Sequence, residues 1–299
     1  MDARVFPRET PIMGLPSASD LRDAYLRDGF VVVRGVFSAD EVAEIAAAFD
    51  RQYEAGLTHP RSFRHGNFHV RVADDPVIGR TVRMVQWPSY GDGVLNGVRQ
   101  DRRMLHLVEP LIGNDVKQII NQMHWKPPGA AAGDYAFHQD SRFRRPREAY
   151  RNLGTSYVQT GIAVDPHRAD SGAMRLYPGS HLLGDLALTP RGSILGTGIA
   201  EDALERHGLD PAKLVDFTME PGDVGLWHPH TIHGSAANRS TRDRRLYVNG
   251  YVRAEDCDRG EWTWRHGQPV PLGDPVLVHF EDLHLRPEPH YLDEGAYGG

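Results

Sequence analysis

Short segments of β-branched and aromatic residues, separated by turns rich in proline and glycine, dominate the sequence from about residue 67 onward. Such short strands with regular turn signals are typical of an antiparallel sandwich or jelly roll. The segments that we predict as strands are residues 67–72, 116–125, 155–164, 173–177, 214–219, 224–227 and 244–252. The turns between them include Pro127-Pro128-Gly129, Pro178-Gly179-Ser180 and Pro221-Gly222-Asp223. We therefore expect a mainly β (α+β) protein with a cupin-like jelly-roll core.

The first fifty residues follow a different pattern, in which two helices flank one strand. Residues 17–27 have the composition of a short capped helix, and residues 29–35 form a β-branched run bounded by glycines. Ser38 and Glu41 have the spacing of a capping box, which predicts a second helix through about Phe49. These helices are expected to pack on the N-terminal side of the jelly roll.

No internal repeat or low-complexity linker divides the chain. We therefore expect one domain over residues 1–299. Its predicted parts are an N-terminal unit over residues 17–50, a jelly-roll core over residues 67–253, an insertion or lid at residues 182–213, and a C-terminal extension over residues 254–299.

Composition argues against several classes of protein. The formal net charge is −6 and Arg142 to Arg145 hold the one notable basic cluster, so nucleic-acid binding has little support. No apolar run reaches about 18 residues, and Cys257 is the only cysteine, so neither a membrane span nor an intrachain disulfide is expected. Met1 to Arg4 carry no apolar signal segment, and lysine occurs at only three positions, a bias typical of GC-rich bacterial genomes. We expect a cytoplasmic, bacterial protein.

Two histidines and one aspartate have the types and order of a 2-His-1-carboxylate metal site. His138 and Asp140 lie two residues apart, so on a β-strand both side chains leave the same face. About ninety residues separate Asp140 from His233, enough for several strands to return the chain to the same pocket. Such a set leaves ligand positions open on a ferrous ion, as oxygen activation requires. We expect His138, Asp140 and His233 to bind Fe(II).

Other histidines among the sixteen offer alternative ligands. His228 and His230 also alternate, but neither is followed by a Gly-Ser turn or by an arginine at the same offset. We expect both to be hydrogen-bonded residues behind the site or at its rim. His65 and His69 lie in a polar segment that ends at Arg71, where pocket lining and a surface position fit equally well.

Arg244 follows His233 by eleven residues, in a strand entered through a small-residue turn. Its planar guanidinium can bind both oxygens of a carboxylate and stays charged at any working pH. A dicarboxylate co-substrate, 2-oxoglutarate, suits an arginine placed beside an iron site. Arg245 would point to the opposite strand face, and Arg242 shares the face of Arg244 but lies in the loop. The residues thus predict an iron(II)/2-oxoglutarate oxygenase.

Four motifs, in the same order, resemble the phytanoyl-CoA dioxygenase family. They are Gln122-Met123-His124-Trp125-Lys126-Pro127-Pro128-Gly129, His138-Gln139-Asp140-Ser141, Gly172-Ala173-Met174-Arg175-Leu176-Tyr177-Pro178-Gly179-Ser180-His181, and His233-Gly234-Ser235 with Asn238 and Arg244. The N-terminal helix and the strand after Asp28 are similar to that family too. The resemblance spans about residues 20–253.

The resemblance implies a double-stranded β-helix fold that uses ferrous iron, 2-oxoglutarate and O2. It implies the same two histidines and aspartate as iron ligands, and Arg244 as the partner of the distal carboxylate of 2-oxoglutarate. Ser235 and Gln122 are implied as further contacts of that co-substrate. The reaction it implies converts 2-oxoglutarate to succinate and CO2 while a substrate is oxidised.

One departure from the family's pattern concerns the strand over residues 159–165. Many relatives carry a tryptophan two residues before its alanine, where this chain has Gly161. A missing indole would widen the pocket on that side and fits a bulky substrate. Aromatic residues and arginines favour a polar or carboxylate-bearing substrate over a simple lipid. The residues that we expect to line the substrate pocket are His69, Arg71, Arg142, Gly161 and Trp227.

We expect hydroxylation, or desaturation or cyclisation, of a small-molecule natural product in secondary metabolism. Halogenases of this superfamily usually have a small residue at the position of Asp140, so the carboxylate favours hydroxylation. Two alternatives stay open. A metal-dependent cupin isomerase or hydrolase would not use 2-oxoglutarate and would give Arg244 no task. A non-catalytic ligand-binding relative would fit a decayed site, whereas here the ligand set is intact.

Overall fold

The computed structural model describes residues 15–131, 133–190, 197–275 and 288–292. Parts of the predicted insertion and of the C-terminal extension lie outside these residues. The helices are α1 (Ala18–Asp28), α2 (Ala39–Leu57), α3 (Gly93–Arg99), α4 (Arg102–Ile112), α5 (Leu153–Ser156) and α6 (Glu201–Arg206). The strands are β1 (Phe30–Val33), β2 (Phe63–His65), β3 (Phe68–Asp75), β4 (Gly79–Gln86), β5 (Val116–Lys126), β6 (Tyr135–His138), β7 (Tyr157–Ala163), β8 (Met174–Leu176), β9 (Thr189–Pro190), β10 (Thr197–Gly198), β11 (Val215–Asp216), β12 (Val224–Trp227), β13 (His233–Ser235), β14 (Arg244–Arg253), β15 (Glu261–Arg265), β16 (Gln268–Pro269) and β17 (His290–Tyr291).

Two antiparallel sheets enclose the interior of the protein. The larger has the order β1-β12-β7-β14-β5-β4-β3-β2-β17, with β15 added beside β5, and the smaller has the order β11-β8-β13-β6. Contacts join the sheets across the interior, since Lys126 at the end of β5 donates to Ser235 in β13. The expectation of a jelly-roll core is confirmed.

The N-terminal helices cover the outer face of the larger sheet, as expected. Alternation along β7 shows the two faces. Val158 and Ile162 belong to the apolar cluster that includes Phe49 of α2, whereas Tyr157 and Ala163 belong to the cluster between the sheets. Because successive strand residues point to opposite faces, every second residue of these strands reaches the interior.

The capping box that opens α2 is present. The Ser38 hydroxyl accepts a hydrogen bond from the Glu41 amide, and the Glu41 carboxylate accepts one from the Ser38 amide at 2.8 Å. The helix continues to Leu57, beyond the predicted end near Phe49. Gln52 and Gly56 are buried on the same face, so a polar residue and a glycine continue a contact surface that apolar periodicity alone does not reveal.

Residues 79–112 differ most from expectation, because β4, α3 and α4 occupy a region where we expected strands and turns in general and assigned no individual element. Two aspartates begin the helices. Asp92 accepts hydrogen bonds from the amides of Val94 and Leu95, and Asp101 accepts one from the amide of Arg103. Aspartate N-caps were the available sequence signal, and the two glycines in α3 and Pro110 in α4 obscured it.

The Pro221-Gly222-Asp223 turn gives a test of the fold. Gly222 has φ +91°, and a Cβ there would overlap the carbonyl oxygen of Phe37, whose amide donates to the Gly222 carbonyl at 3.0 Å. Gly222→Ala should therefore lower the free energy of unfolding by about 2–5 kcal/mol, from left-handed strain and the clash together. The measurement is urea unfolding followed by circular dichroism.

Gly79→Ala is the matched control. Gly79 also has positive φ, at +76°, but a Cβ there would have no heavy atom within 4 Å. It should cost only the conformational strain of about 1–2 kcal/mol. Equal costs for the two substitutions would show that the Gly222 approach to Phe37 does not constrain the turn.

Candidate metal centre and co-substrate pocket

Two histidines meet across a pair of strands in the smaller sheet. His138 ends β6, His233 begins β13, and the two residues are direct partners in the antiparallel register. Their ring centroids lie 4.2 Å apart. Asp140 completes the group, with its carboxylate oxygens 3.8 Å from the Nε2 atom of each histidine. Within the described residues, possible ligand atoms of these three buried side chains all lie within 4.8 Å of one another.

Each imidazole is oriented by the backbone of its own strand region. The Nδ1 atom of His138 lies 2.7 Å from the carbonyl oxygen of Ala136, and that of His233 lies 2.9 Å from the carbonyl oxygen of Thr231. A proton on Nδ1 makes the hydrogen bond and leaves the lone pair of Nε2 free. This is the second contact that metal-binding histidines usually make, and it fixes both tautomer and ring direction.

Asp140 reaches the group by a different route from the one we expected. Strand β6 ends at His138, and Asp140 begins a 3-10 turn over Asp140–Phe143, so the two residues do not share a strand face. The intervening Gln139 is still extended, with φ −124° and ψ 132°, which keeps both neighbours on one side. The indole N–H of Trp227 then donates to the Asp140 carboxylate at 2.7 Å.

Burial and charge set the protonation of this group. Burial lowers the pKa of His138 to about 4, and the neighbouring His233 acts in the same direction. For Asp140, burial raises the pKa, but His233, His138 and Arg144 outweigh it and leave the pKa below its usual value. A neutral imidazole beside an ionised carboxylate is the donor set that suits ferrous iron.

Two cations lie together at one end of the interior. Arg244 begins β14 and is the direct cross-strand partner of Lys126, which ends β5. Both are nearly inaccessible to solvent, at 4% and 2% exposure. Within the described part of the chain, neither forms a salt bridge. The Arg244 guanidinium donates only to Nδ1 of His167 at 3.4 Å, and its Nε has no partner.

The pKa values of these cations reflect the missing negative charge. Burial lowers the pKa of Arg244 to about 10. Burial, with Arg244 acting in the same direction, lowers the pKa of Lys126 to about 6. Since uncompensated buried charges are costly, the pair is suited to an anionic ligand.

Lys126 is a residue to which we gave no role from the sequence. Its Nζ donates to the Ser235 hydroxyl at 2.7 Å and to the Ala236 carbonyl at 2.6 Å. Lysine is rare in this chain, and this one precedes the Pro-Pro-Gly turn. Its pairing with Arg244, however, depends on a register between strands more than 110 residues apart in sequence.

The structure brings Gln122 to the inner face of β5, two inward positions from Lys126. Its side-chain oxygen lies 2.9 Å from Nε2 of His124, whose Nδ1 lies 3.4 Å from the Tyr135 hydroxyl. Burial lowers the pKa of His124 to about 4. This neutral hydrogen-bonded row continues the pocket of the two cations.

The five residues expected to line a substrate pocket have different surroundings. His69 and Arg71 lie on β3, opposite Gln86 and Met84 of β4. Arg142 lies in the 3-10 turn after β6, and its guanidinium is 3.8 Å from the Asp185 carboxylate. Trp227 is buried and holds Asp140, as described above.

Gly161 on β7 lies against the side chain of Leu246 on the neighbouring strand β14. A Cβ at Gly161 would lie 3.0 Å from Cδ1 of Leu246, so the leucine side chain occupies space that a larger residue at 161 would need. The glycine therefore does not by itself leave an open volume.

Two further histidines and one arginine lie away from the metal group, as we expected. His228 contacts the Gly154 carbonyl at 2.7 Å, and His230 lies 3.5 Å from Asp185, so both have partners away from the metal group. Arg245 projects from the opposite face of β14 and forms ion pairs with Asp165 and Asp50. Within the described residues, none of the helices has the length and apolar character needed to cross a bilayer.

Comparison with known proteins identifies the family. The family described as "Phytanoyl-CoA dioxygenase (PhyH)" matches residues 25–246 of this chain. The "Probable alpha-ketoglutarate-dependent hypophosphite dioxygenase" of Stutzerimonas stutzeri is 26% identical over 240 residues, which cover 77% of this chain and 77% of that protein.

Solved structures are similar in fold. EctD from S. alaskensis with bound Fe has a TM-score of 0.65 at 19% identity, covering 93% of this chain and 92% of that one. The carbocyclase SnoK from nogalamycin biosynthesis, described as non-heme and alpha ketoglutarate dependent, has a TM-score of 0.61 at 18% identity, covering 88% and 99%. Because the family match extends over most of its length, the chain belongs to the phytanoyl-CoA dioxygenase family.

Proposed function

We propose that this protein is an Fe(II)/2-oxoglutarate-dependent dioxygenase that hydroxylates a small molecule. The observation that carries the proposal is the buried group of His138, Asp140 and His233, with both imidazoles oriented through Nδ1. Three protein ligands leave positions open for a co-substrate and for O2. When bound, ferrous iron and 2-oxoglutarate supply the oxidising chemistry, which yields succinate and CO2.

The protein's own task at the metal is to hold three donors in fixed directions. Backbone carbonyls fix the two rings, and the Trp227 indole fixes the carboxylate. The neutral state of His138 keeps its Nε2 available at physiological pH, since burial lowers its pKa to about 4. With iron bound, the carboxylate of Asp140 would be one of its ligands and would leave no place there for a halide, which favours hydroxylation.

Arg244 and Lys126 fit the distal carboxylate of 2-oxoglutarate. The guanidinium offers a planar fork whose Nε has no protein partner, and the ammonium adds a second positive charge beside it. Ser235 and Gln122 would contact the same molecule, since Ser235 is hydrogen-bonded to Lys126 and Gln122 lies two inward positions from Lys126 on β5. A metal-dependent isomerase or hydrolase would leave this buried pair of cations without an anion.

The substrate is proposed to be a small molecule, in line with the relative named for hypophosphite. SnoK is described as a carbocyclase, so a protein of this fold also catalyses ring formation in its substrate. Ring formation or desaturation in this protein would depend on how the substrate is placed and would need no change in the metal ligands.

The metal assignment predicts a spectroscopic change. Anaerobic protein with Fe(II) and 2-oxoglutarate should show the weak visible charge-transfer band of a chelated keto acid, and His138→Ala should abolish it because one of three ligands is lost. His230→Ala is the control, since His230 faces Asp185, and it should keep the band. A band that survives in His138→Ala would refute the ligand set.

Arg244 should determine co-substrate affinity. Removing the charge in Arg244→Met should weaken 2-oxoglutarate binding by about 2–5 kcal/mol, as expected for one partner of a buried charge pair. The measurement is titration of the charge-transfer band with 2-oxoglutarate. The neighbouring Arg245→Met removes an ion pair on the outer face and should leave the affinity unchanged. If both substitutions weakened 2-oxoglutarate binding equally, the cause would be a less stable β14 and not a lost contact with the co-substrate.

Lys126 should make the affinity depend on pH. Its pKa is about 6 in the ligand-free protein, so above pH 6 it is mostly neutral, and a bound dicarboxylate must raise that pKa. Binding therefore takes up a proton, and 2-oxoglutarate affinity should fall by up to about tenfold per pH unit above pH 6. Lys126→Met should flatten this dependence.

The control for Lys126 is on the same strand. Lys117→Met removes an ammonium that donates to the Cys257 carbonyl, far along β5, and should preserve the pH dependence. If the affinity of Lys126→Met for 2-oxoglutarate still fell with rising pH, a group other than Lys126 would take up the proton.

A further inference from the structure

Arg144 is a buried arginine beside the metal centre, apart from the co-substrate pocket. It follows the 3-10 turn that begins with Asp140, and it is only 4% exposed. Its Nε lies 3.4 Å from the backbone carbonyl oxygen of Asp140, and its guanidinium carbon lies 5.7 Å from the centroid of the Tyr157 ring. The side chain therefore extends from the metal-binding turn onto the inner face of β7.

The guanidinium of Arg144 has no acidic partner. Its Nη1 is buried without a hydrogen bond, and within the described residues Arg144 takes part in no salt bridge. The nearby carboxylate, that of Asp140, is already engaged by Trp227 and faces both imidazoles. The Asp140 carboxylate attracts Arg144 electrostatically but accepts no hydrogen bond from it, so the cost of burying the guanidinium is only partly compensated.

Neighbouring arginines differ from Arg144 in their exposure to solvent. Arg147 and Arg142 both point to the Asp185 carboxylate, and Arg151 pairs with Asp258 at 2.8 Å. Each of these is at least 30% exposed. Arg145 also forms no salt bridge with a described residue, but its side chain is exposed and contacts only the Arg144 carbonyl. Arg144 is thus the buried arginine of this segment that lacks a protein anion.

Arg144 is too far from Arg244 to share its ligand. Tyr157, beneath Arg144, is the register partner of Val252, eight residues along β14 from Arg244. At about 3.3 Å per residue, the strand positions are roughly 25 Å apart. A five-carbon dicarboxylate whose distal carboxylate is held by Arg244 cannot reach Arg144 with its other carboxylate.

The surroundings of Arg144 provide a polar path to the metal centre. The Tyr157 hydroxyl donates to the Gln159 side chain on the inner face of β7, and Gln159 is the register partner of Trp227. Trp227 in turn contacts Asp140. A molecule held by Arg144 would lie beside this row and close to the three candidate metal ligands.

We propose that Arg144 binds an oxyanionic group of the substrate, a carboxylate or a phosphate, and holds the substrate against the metal centre. Its planar fork matches either group. This assigns the substrate to the class of small organic anions. The inference rests on the proposed dioxygenase function, because it assumes that a molecule other than 2-oxoglutarate is oxidised at the site.

The test uses matched charged and neutral probes. The protein is loaded anaerobically with Fe(II) and 2-oxoglutarate, and benzoate, phenyl phosphate and benzamide are titrated by calorimetry. The variants are Arg144→Gln, which removes the charge at similar length, and Arg144→Lys, which retains it. Arg151→Gln is the control, because it removes a surface arginine that has its own carboxylate partner.

The parent protein and Arg151→Gln should bind benzoate or phenyl phosphate at least tenfold more tightly than benzamide. Arg144→Gln should lose this preference, and Arg144→Lys should retain part of it. The affinity for 2-oxoglutarate should change less than twofold in every variant. The tighter of the two anions tells whether the site is adapted to a carboxylate or to a phosphate.

Three results would overturn the inference. They are the absence of an anion preference in the parent, a preference that survives in Arg144→Gln, and a loss of the charge-transfer band in Arg144→Gln. The last would mean that Arg144 supports the metal centre only. Failure of the dioxygenase proposal looks different, because the parent itself would then show no charge-transfer band.

Discussion

The register between β6 and β13 is the constraint on which the site depends. His138 and His233 are direct partners, and a slip by one residue would turn one imidazole to the other side of the sheet. Gly234 helps to fix the register, because a Cβ there would lie 2.8 Å from the Tyr135 carbonyl oxygen. Strand β8 holds the other edge of β13 in register. Close backbone packing therefore sets the position of both rings before any metal binds.

The distribution of charge differs between the two faces of the larger sheet. On the outer side, arginines meet acids, as Arg245 does with Asp165 and Arg103 with Glu41. In the interior, Arg244, Lys126 and Arg144 are buried without carboxylate partners. The chain has a net charge of −6, so acidic residues are abundant, yet none of those that the structure describes forms a salt bridge with these three cations. An interior of this kind is complementary to anionic small molecules.

The sequence predicted the strands and the metal group better than the cation sites. Strand alternation and a two-residue spacing are local, so His138, Asp140 and the inward position of Arg244 follow from them, even though Asp140 lies in a 3-10 turn. The roles of Lys126 and Arg144 depend on what surrounds them in three dimensions. No local spacing reveals that the Arg142 guanidinium approaches the Asp185 carboxylate while Nη1 of Arg144 is buried without a hydrogen bond.

The space in the interior is shared between strands, which limits what one missing side chain can reveal. We predicted a wider pocket at Gly161 because a large side chain is absent there. Leu246 on the neighbouring strand, however, packs against the glycine. Protein interiors are close-packed, so a neighbour commonly fills the volume that a small residue releases. Charge behaves differently, since an apolar neighbour can fill a space but cannot neutralise a guanidinium. Buried cations without partners therefore constrain the substrate of this protein more strongly than the size of any one pocket residue.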